Sequence, residues 1–282
     1  IVGDQDWMWG IMVDEPRLTE APATTGRVSG EARPGFRPDI EGLRAVAVLA
    51  VVLFHASVPG IGGGYVGVDV FFVISGFLIT GLLRREVTNV GTVRLRRFYG
   101  ARARRLLPAS AAVGVVTAIA SFVLLPPLLV KSVLLEGIAS ALYVGNIWFS
   151  LEATNYFYNE ATPPPFQHYW SLGVEEQFYM VWPAIVIGTA WVIRRRNRRR
   201  TDRAAGGNGP YVAVLLVVTV LSFAASVLVT RIWPIGAFYL LPTRAWELAL
   251  GGLVALTLGR WRQLPPLAAG IVGWLGLAVV VV

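Results

Sequence analysis

The sequence predicts an all-α fold, a polytopic transmembrane helix bundle. Three observations carry that expectation. Of 282 residues, 55% are hydrophobic and only 15% charged, whereas an ordinary soluble domain carries about 25% charge. That is too little charge to cover a water-facing surface. The apolar residues are gathered into runs close to the ~20 residues that a bilayer-crossing helix needs. The basic residues, finally, fall between those runs with a strong bias to one side.

The runs follow in order. Residues 1–35 are polar and aperiodic and read as a cytoplasmic, disordered tail. No basic region there leads into an apolar stretch with a cleavage site, so no secretory signal is evident. The chain begins at Ile1, which suggests a true start upstream. Residues 36–282 form the transmembrane domain. Its first apolar run is Leu43–Val58, extended back to Ile40. The turn Pro59–Gly64 joins it to a second run, Tyr65–Leu83. Eight Arg against one acid follow over 84–105, then a third run, Leu106–Leu125. Leu172–Ile193 leads into seven Arg over 194–203. Tyr211–Val229, Thr243–Leu258 and Leu267–Val282 complete the series.

Placing both Arg-rich loops in the cytoplasm puts the N-terminus there too. Only Lys131, Arg231 and Arg244 then lie outside, so 22 of the 25 basic residues share one face. That asymmetry orients the bundle. It also demands an odd number of crossings between Pro126 and Arg194. Two stretches compete, Leu134–Leu151 and Leu172–Ile193. The first carries Glu136 and Asn146 and is expected to be re-entrant or interfacial. The count is therefore six complete spans plus a seventh, cut off where the chain stops inside an apolar run, as expected of a fragment.

Composition excludes several chemistries. With no Cys, the chain has no disulfide scaffold, thiolate metal site or cysteine nucleophile. Two His leave little room for a zinc site, so no metal is expected. The net charge of +8 does not indicate nucleic acid, because the Arg runs are short loops clamped between spans.

Ionisable groups inside spans are the candidates for function. Arg44 and His55 are eleven residues apart, which returns to within about 20° of one helical face over about 16 Å. Arg44 also reads as an interfacial anchor, and His55 as an imidazole bonded to a backbone carbonyl. Asp69, near the start of the second run, is expected at the depth of His55. A carboxylate on one imidazole nitrogen would make the other a better base. Asp69 also reads as a turn or cap residue. In WSLGVEEQFY (Trp170–Tyr179), Ser171 is a candidate N-cap. Glu175 and Glu176 would then lie in the first turn, where the helix dipole favours carboxylates. They are about 100° apart, so at most one is expected to face a given centre. With Arg244 and Glu247, beside Trp246, these residues and His168 could converge on one external polar pocket. On the cytoplasmic side, Arg102, Arg105 and Pro108 stand at helical spacing, and two guanidiniums there suit a phosphate. Anionic lipid headgroups are the other reading. Together these point to an enzyme passing a group from a phosphorylated cytoplasmic donor to an external acceptor, or to a transporter or flippase for an anionic or acylated solute.

Five strings favour the first. FRPDIEGLRAVAVLAVVLFHA (Phe36–Ala56), GGYVGVDVFFVISGFLIT (Gly63–Thr80), FYGARARRLLP (Phe98–Pro108), WSLGVEEQFY and RAWELALGG (Arg244–Gly252) closely resemble the membrane acyltransferase 3 family over Phe36 to about Gly259. The family's members O-acylate bacterial cell-envelope glycans, including lipopolysaccharide O-antigen and peptidoglycan. The resemblance implies a multi-pass enzyme of the bacterial cytoplasmic (inner) membrane with about ten spans, acyl-CoA (acetyl-CoA above all) as donor substrate, no metal, and a glycan acceptor. The RPDIEGLRA form is similar to the subgroup with a C-terminal SGNH domain, which this sequence does not include. By resemblance, His55 and Arg44 serve acyl transfer, and Arg102, Arg105 and Arg44 the donor. Asp69, Glu175 and Glu176 are expected to assist catalysis. His168, Trp170, Arg244 and Glu247 are expected to meet the acceptor. His55 would act as general base or carry the acyl group itself.

Overall fold

The structure, a computed structural model, describes residues 37–152, 163–197 and 207–281. The expected tail over 1–35 and part of the second Arg run lie outside the described residues. Among the described residues the chain is all helix, without a strand.

Among the described residues ten α-helices follow one another: α1 Pro38–His55, α2 Gly67–Val90, α3 Leu95–Leu124, α4 Pro127–Ala141, α5 Gly145–Glu152, α6 Trp170–Asn197, α7 Gly209–Ile232, α8 Pro234–Tyr239, α9 Leu241–Trp261 and α10 Pro266–Val281. Four of them, α2, α3, α6 and α7, are both long and apolar enough to cross a bilayer. α1, with Asp39, Glu41 and Arg44 near its start, and α9, with Arg244 and Glu247, are not among these four. α10 is a shorter apolar helix.

Local chemistry explains the boundaries. Pro stands in the first turn of α1, α4, α7, α8 and α9, where its missing N–H costs nothing. α2 stops at Gly91, whose φ of +83° closes the helix by donating its N–H to the Val87 carbonyl. α3 begins at Leu95, eleven residues before the apolar run expected at Leu106. Arg is a good helix former, so the charged stretch lengthens the helix instead of ending it. Ser171 is not a cap. A 3-10 turn, Gln167–Tyr169, leads straight into Trp170, and Ser171 is the second residue of α6.

The packing core is the contact of α2 with α9. A Cβ on Gly76 would strike the Leu248 backbone, and one on Gly251 would strike the Val73 carbonyl. These two glycines let the helix backbones touch, the small-residue contact common between membrane helices. α1 leans on the other side of α2 through Gly64 and Gly67, which face Ala50 and Ala47. Trp182 of α6 fills the centre, 1% exposed and donating to Thr80 Oγ1 at 3.0 Å. Phe178 stacks on it at 5.7 Å.

Helix directions follow from pairings at successive levels. Phe72–Trp170, Ser75–Glu175 and Thr80–Trp182 make α2 and α6 parallel. Asp69–Arg244 and Gly76–Leu248 make α2 and α9 parallel. Tyr99–Tyr179, Arg102–Glu176 and Tyr169–Ser110 make α3 antiparallel to α6. Asn208–Leu256 and Ser222–Pro242 make α7 antiparallel to α9. α4 turns back along α3, and the turn after it brings Tyr143 to the level of Gln177. That side chain donates to the Tyr143 carbonyl at 2.9 Å. Tyr143 sits at φ +57°, uncommon for a residue with a side chain.

Candidate functional site

The expected single external pocket resolves into two polar clusters on α6, α2, α9 and α3. The first joins α2 to α9. Arg244 Nη1 reaches Asp69 Oδ1 at 3.0 Å and Glu247 Oε1 at 2.9 Å. Its Nε donates to the Phe238 carbonyl at 3.0 Å, and its guanidinium lies 4.9 Å from the Phe238 ring. Glu247 is 1% exposed, and its Oε2 is buried without a hydrogen-bond partner among the described residues. One cation thus serves two carboxyl groups in a poorly hydrated place, with acceptor capacity to spare.

The second cluster joins α3, α6 and α2. Arg102 Nη2 lies 2.6 Å from Glu176 Oε1 and 3.9 Å from Glu175 Oε1. Its guanidinium stacks 3.5 Å from the Tyr179 ring centroid. Ser75 Oγ and Tyr179 Oη both donate to Glu175 Oε1, at 2.7 and 2.6 Å. Arg102 Nε is buried without a partner among the described residues. The Tyr143 phenol bonds Ser110 within electrostatic reach of Glu176 and Arg102. A carboxylate with two hydroxyl donors, beside a second carboxylate on a stacked guanidinium, can bind a polar group and hold a proton.

These positions revise the sequence expectations. Glu175 and Glu176 lie beyond the first turn of α6, so the helix dipole does not account for them. Both approach one guanidinium, because Arg102 reaches across the 100° between them. Arg102 and Arg105 do not form a joint pair. Arg102 turns inward to the carboxylates, and Arg105 stands exposed on the helix surface.

His55 and Asp69 are not brought together either. Gly67 faces Ala47 of α1, so Asp69 is about level with that residue. His55, eight residues further along α1, stands about 12 Å higher. Asp69 takes Arg244 instead. His55 is exposed, and its Nδ1 lies 2.8 Å from the Val51 carbonyl of its own helix. As donor there, Nδ1 carries the proton and leaves Nε2 with a lone pair. The backbone carbonyl does the orienting expected of Asp69. Arg44 bonds Glu41 one turn back at 3.0 Å.

His168 is exposed beside the Tyr169 ring, 4.7 Å centroid to centroid. Trp170 stands between the clusters, packed on Phe72, Phe238 and Tyr239 and 5.8 Å from Arg244. Sequence reasoning missed Ser75, Tyr143 and Tyr179. Tyr179 ends the motif already singled out, and its i+4 spacing from Glu175 was the available signal. No group of three or more His, Cys, Asp and Glu that could hold a metal occurs among the described residues.

With this geometry in view, the likenesses to other proteins can be weighed. A family model described as an acyltransferase domain matches residues 37–282. Peptidoglycan O-acetyltransferase OatA of Listeria monocytogenes is 36% identical over 221 residues, which are 78% of this chain and 34% of OatA. YrhL of Bacillus subtilis, named provisionally for the same activity, is 33% identical over 78% of this chain and 33% of its own length. A Staphylococcus aureus protein named provisionally as an O-acetyltransferase is 38% identical over 58% of this chain and 27% of its own. The chain spans about a third of the length of these curated relatives. No solved structure matches it. The matched region takes in every residue of both polar clusters, and the chain belongs to the acyltransferase 3 family, the one its five motifs resemble.

Proposed function

We propose that this chain is the membrane part of an O-acetyltransferase that moves an acetyl group from cytoplasmic acetyl-CoA to a hydroxyl of a peptidoglycan-type glycan outside the cytoplasmic membrane. The observation that carries the reading is the Arg102–Glu176 contact, which joins the Arg-rich helix to the WSLGVEEQFY helix. It brings a residue expected at the donor to a residue expected to assist catalysis at one level of the bundle. Matching relatives named for O-acetylation of peptidoglycan support the acceptor class.

The helix directions support the topology. α3 opposes α2, and α6 runs with α2, so α4 and α5 together make no net crossing. That fits a re-entrant segment whose tip is Tyr143, an N-terminus in the cytoplasm, and Arg-rich helix ends on that side.

In this reading the thioester approaches from the Arg-rich face. Arg102, its Nε without a partner among the described residues, meets a phosphate of the donor, because it lies on the order of 20 Å along the bundle from His55. His55 Nε2, basic because Nδ1–H is held by Val51, takes the proton of the acceptor hydroxyl as that oxygen attacks. The C–S bond breaks, and the proton goes to the departing thiolate. The Asp69–Arg244–Glu247 cluster beside Trp170 offers the sugar its acceptor oxygens. The test is purified protein in lipid vesicles, given radiolabelled acetyl-CoA and a peptidoglycan fraction. Label in the glycan is the expected result. Solute flux without acetyl-CoA consumption overturns it in favour of a transporter.

A further inference from the structure

Between the two polar clusters lies a pair of amide side chains that belongs to neither. Gln177 follows Glu176 on α6, and Asn146 stands in the first turn of α5 with no exposed surface. Gln177 Nε2 donates to Asn146 Oδ1 at 2.8 Å and to the Tyr143 carbonyl at 2.9 Å. Asn146 Nδ2 donates to the Tyr239 carbonyl at 3.1 Å and reaches back to Gln177 Oε1 at 3.4 Å. A side-chain amide has two N–H donors, so both residues use all of theirs. Three segments are tied together: the turn before α5, α6 and α8. Gly173, one turn before Gln177, keeps room for the pair. A Cβ there would stand 2.8 Å from Asn146 Oδ1 and 3.3 Å from the Tyr143 carbonyl oxygen.

Each end of the pair leads to one cluster. On one side Gln177 adjoins Glu176, and the Tyr143 phenol lies within electrostatic reach of Arg102 and Glu176. Gln177 also holds the carbonyl of Tyr143, whose φ is +57°. Backbone in such sparsely populated conformations gathers at functional sites. On the other side Tyr239 follows Phe238, whose carbonyl receives Arg244 Nε at 3.0 Å. The Tyr239 hydroxyl accepts from Gln167 Nε2 at 2.7 Å, and its ring stands edge-on to Trp170. A short chain of bonds thus runs from Arg102 to Arg244 through the two amides. Apolar packing would also join these helices, but it is non-directional. A buried network with every donor used fixes one arrangement.

We propose that Asn146 and Gln177 are positioning residues for acetyl transfer: their amide pair holds the Arg102–Glu176 cluster in register with the Asp69–Arg244–Glu247 cluster, so that the acetyl group passes to the glycan and not to water. The inference rests on the acetyl-transfer reading above. With the pair broken, the donor still binds, but the sugar hydroxyl is out of line and water attacks the thioester carbonyl. The water oxygen bonds the acetyl carbon, the C–S bond breaks, and one proton goes to the departing thiolate. Acetic acid, which ionises in solution, leaves in place of an acetylated sugar.

The protein in lipid vesicles is given acetyl-CoA labelled in the acetyl group together with a peptidoglycan fraction, and labelled glycan and labelled acetate are counted. Their ratio belongs to each working molecule, so it does not depend on how much protein folds. Asn146→Ala should lower the glycan-to-acetate ratio by about tenfold or more, since misplacement of about 1 Å costs up to ~10²-fold in rate. Gln177→Met keeps the length of the side chain and loses its amide bonds. It should give the same fall, and it decides if Asn146→Ala yields too little folded protein. Adding Gln177→Met to Asn146→Ala should lower the ratio no further, because the two act as one unit. Thr80→Val removes the buried bond from Trp182, which belongs to neither cluster, and should leave the ratio unchanged. Equal falls in both products for Asn146→Ala and Gln177→Met, at constant ratio, overturn the proposal and make the pair a fold-holding one. No consumption of acetyl-CoA by the unsubstituted protein overturns the acetyl-transfer reading, and the role of the pair with it.

Discussion

Arg102 of α3 and Glu176 of α6 meet at 2.6 Å, with the guanidinium laid over the Tyr179 ring. Their side chains are 19% and 14% exposed. Removing one partner of such a pair leaves the other charge stranded, which costs about 3–5 kcal/mol. Arg102→Ala strands Glu176 and weakens the setting of Glu175. It should lower the thermal melt and abolish transfer. Arg102→Lys keeps the charge but loses the planar stack, so an intermediate melt is expected. The double variant Arg102→Met, Glu176→Met should recover most of the melt and none of the transfer. Melts in detergent and acetyl transfer in vesicles separate these outcomes. Normal transfer by the double variant makes the pair a structural one only.

His55 gives the opposite signature. It is exposed and bonds only its own helix among the described residues, so His55→Ala should leave the melt alone. Loss of a general base costs about 10²–10⁴ in rate, and transfer should fall by that order. Asp69→Asn should affect rate far less than His55→Ala, because Asp69 serves Arg244. Equal rate losses for the two variants would restore the imidazole–carboxylate couple to the mechanism.

How much of this was legible beforehand depends on what each feature needs. The long helices needed only apolar run length, which the sequence displays. Their starts needed more. α3 runs back through Arg96, Arg97 and Arg102 because charge ends an apolar run without ending a helix. The Arg102–Glu176 contact spans 74 residues and joins groups assigned to opposite faces of the membrane. Hydropathy places residues along a helix but not the stagger between helices, and here that stagger decides the contact. The same missing quantity misplaced Asp69. Counting from run ends set it level with His55, but the Gly67–Ala47 contact draws α1 about two turns higher. Ser75 and Tyr143 had no signal of charge or motif spacing, only proximity in the folded bundle.

The α2–α9 contact should be intolerant of any side chain. Gly76 and Gly251 each face backbone of the partner helix, and backbone cannot rotate away as a flexible side chain can. Overpacking of this kind costs about 1–3 kcal/mol and sometimes more. Gly251→Ala should lower the melt, and Gly76→Val should do so further. Gly188→Ala, with nothing within 4 Å of its Cβ, is the control and should be neutral. A neutral Gly251→Ala would mean the two helices are further apart than described.

Reporters for topology can be introduced cleanly, since the chain has no Cys. Lys131 stands exposed near the start of α4, and Pro163 follows the α4–α5 segment. If that segment makes no net crossing, Lys131→Cys and Pro163→Cys should both react with an impermeant maleimide from outside. Arg94→Cys and Asn208→Cys should react only after permeabilisation. Protection of Pro163→Cys with labelling of Lys131→Cys would make the segment a true span and reverse every helix after it.

The Asp69–Arg244–Glu247 cluster sets two carboxyl groups on one guanidinium, and this imbalance predicts an asymmetry. Arg244→Met leaves two carboxylates facing each other with Glu247 almost fully buried, so it should be the most destabilising change in the cluster. Glu247→Gln keeps a carbonyl oxygen for Arg244 and removes a buried ionisable group, so its melt should equal or exceed that of the original protein. If the spare Oε2 of Glu247 receives the acceptor sugar, Glu247→Gln should raise the KM for glycan and leave the KM for acetyl-CoA alone. A melt as low as that of Arg244→Met, or equal changes in both KM values, would reduce Glu247 to a helix-joining residue.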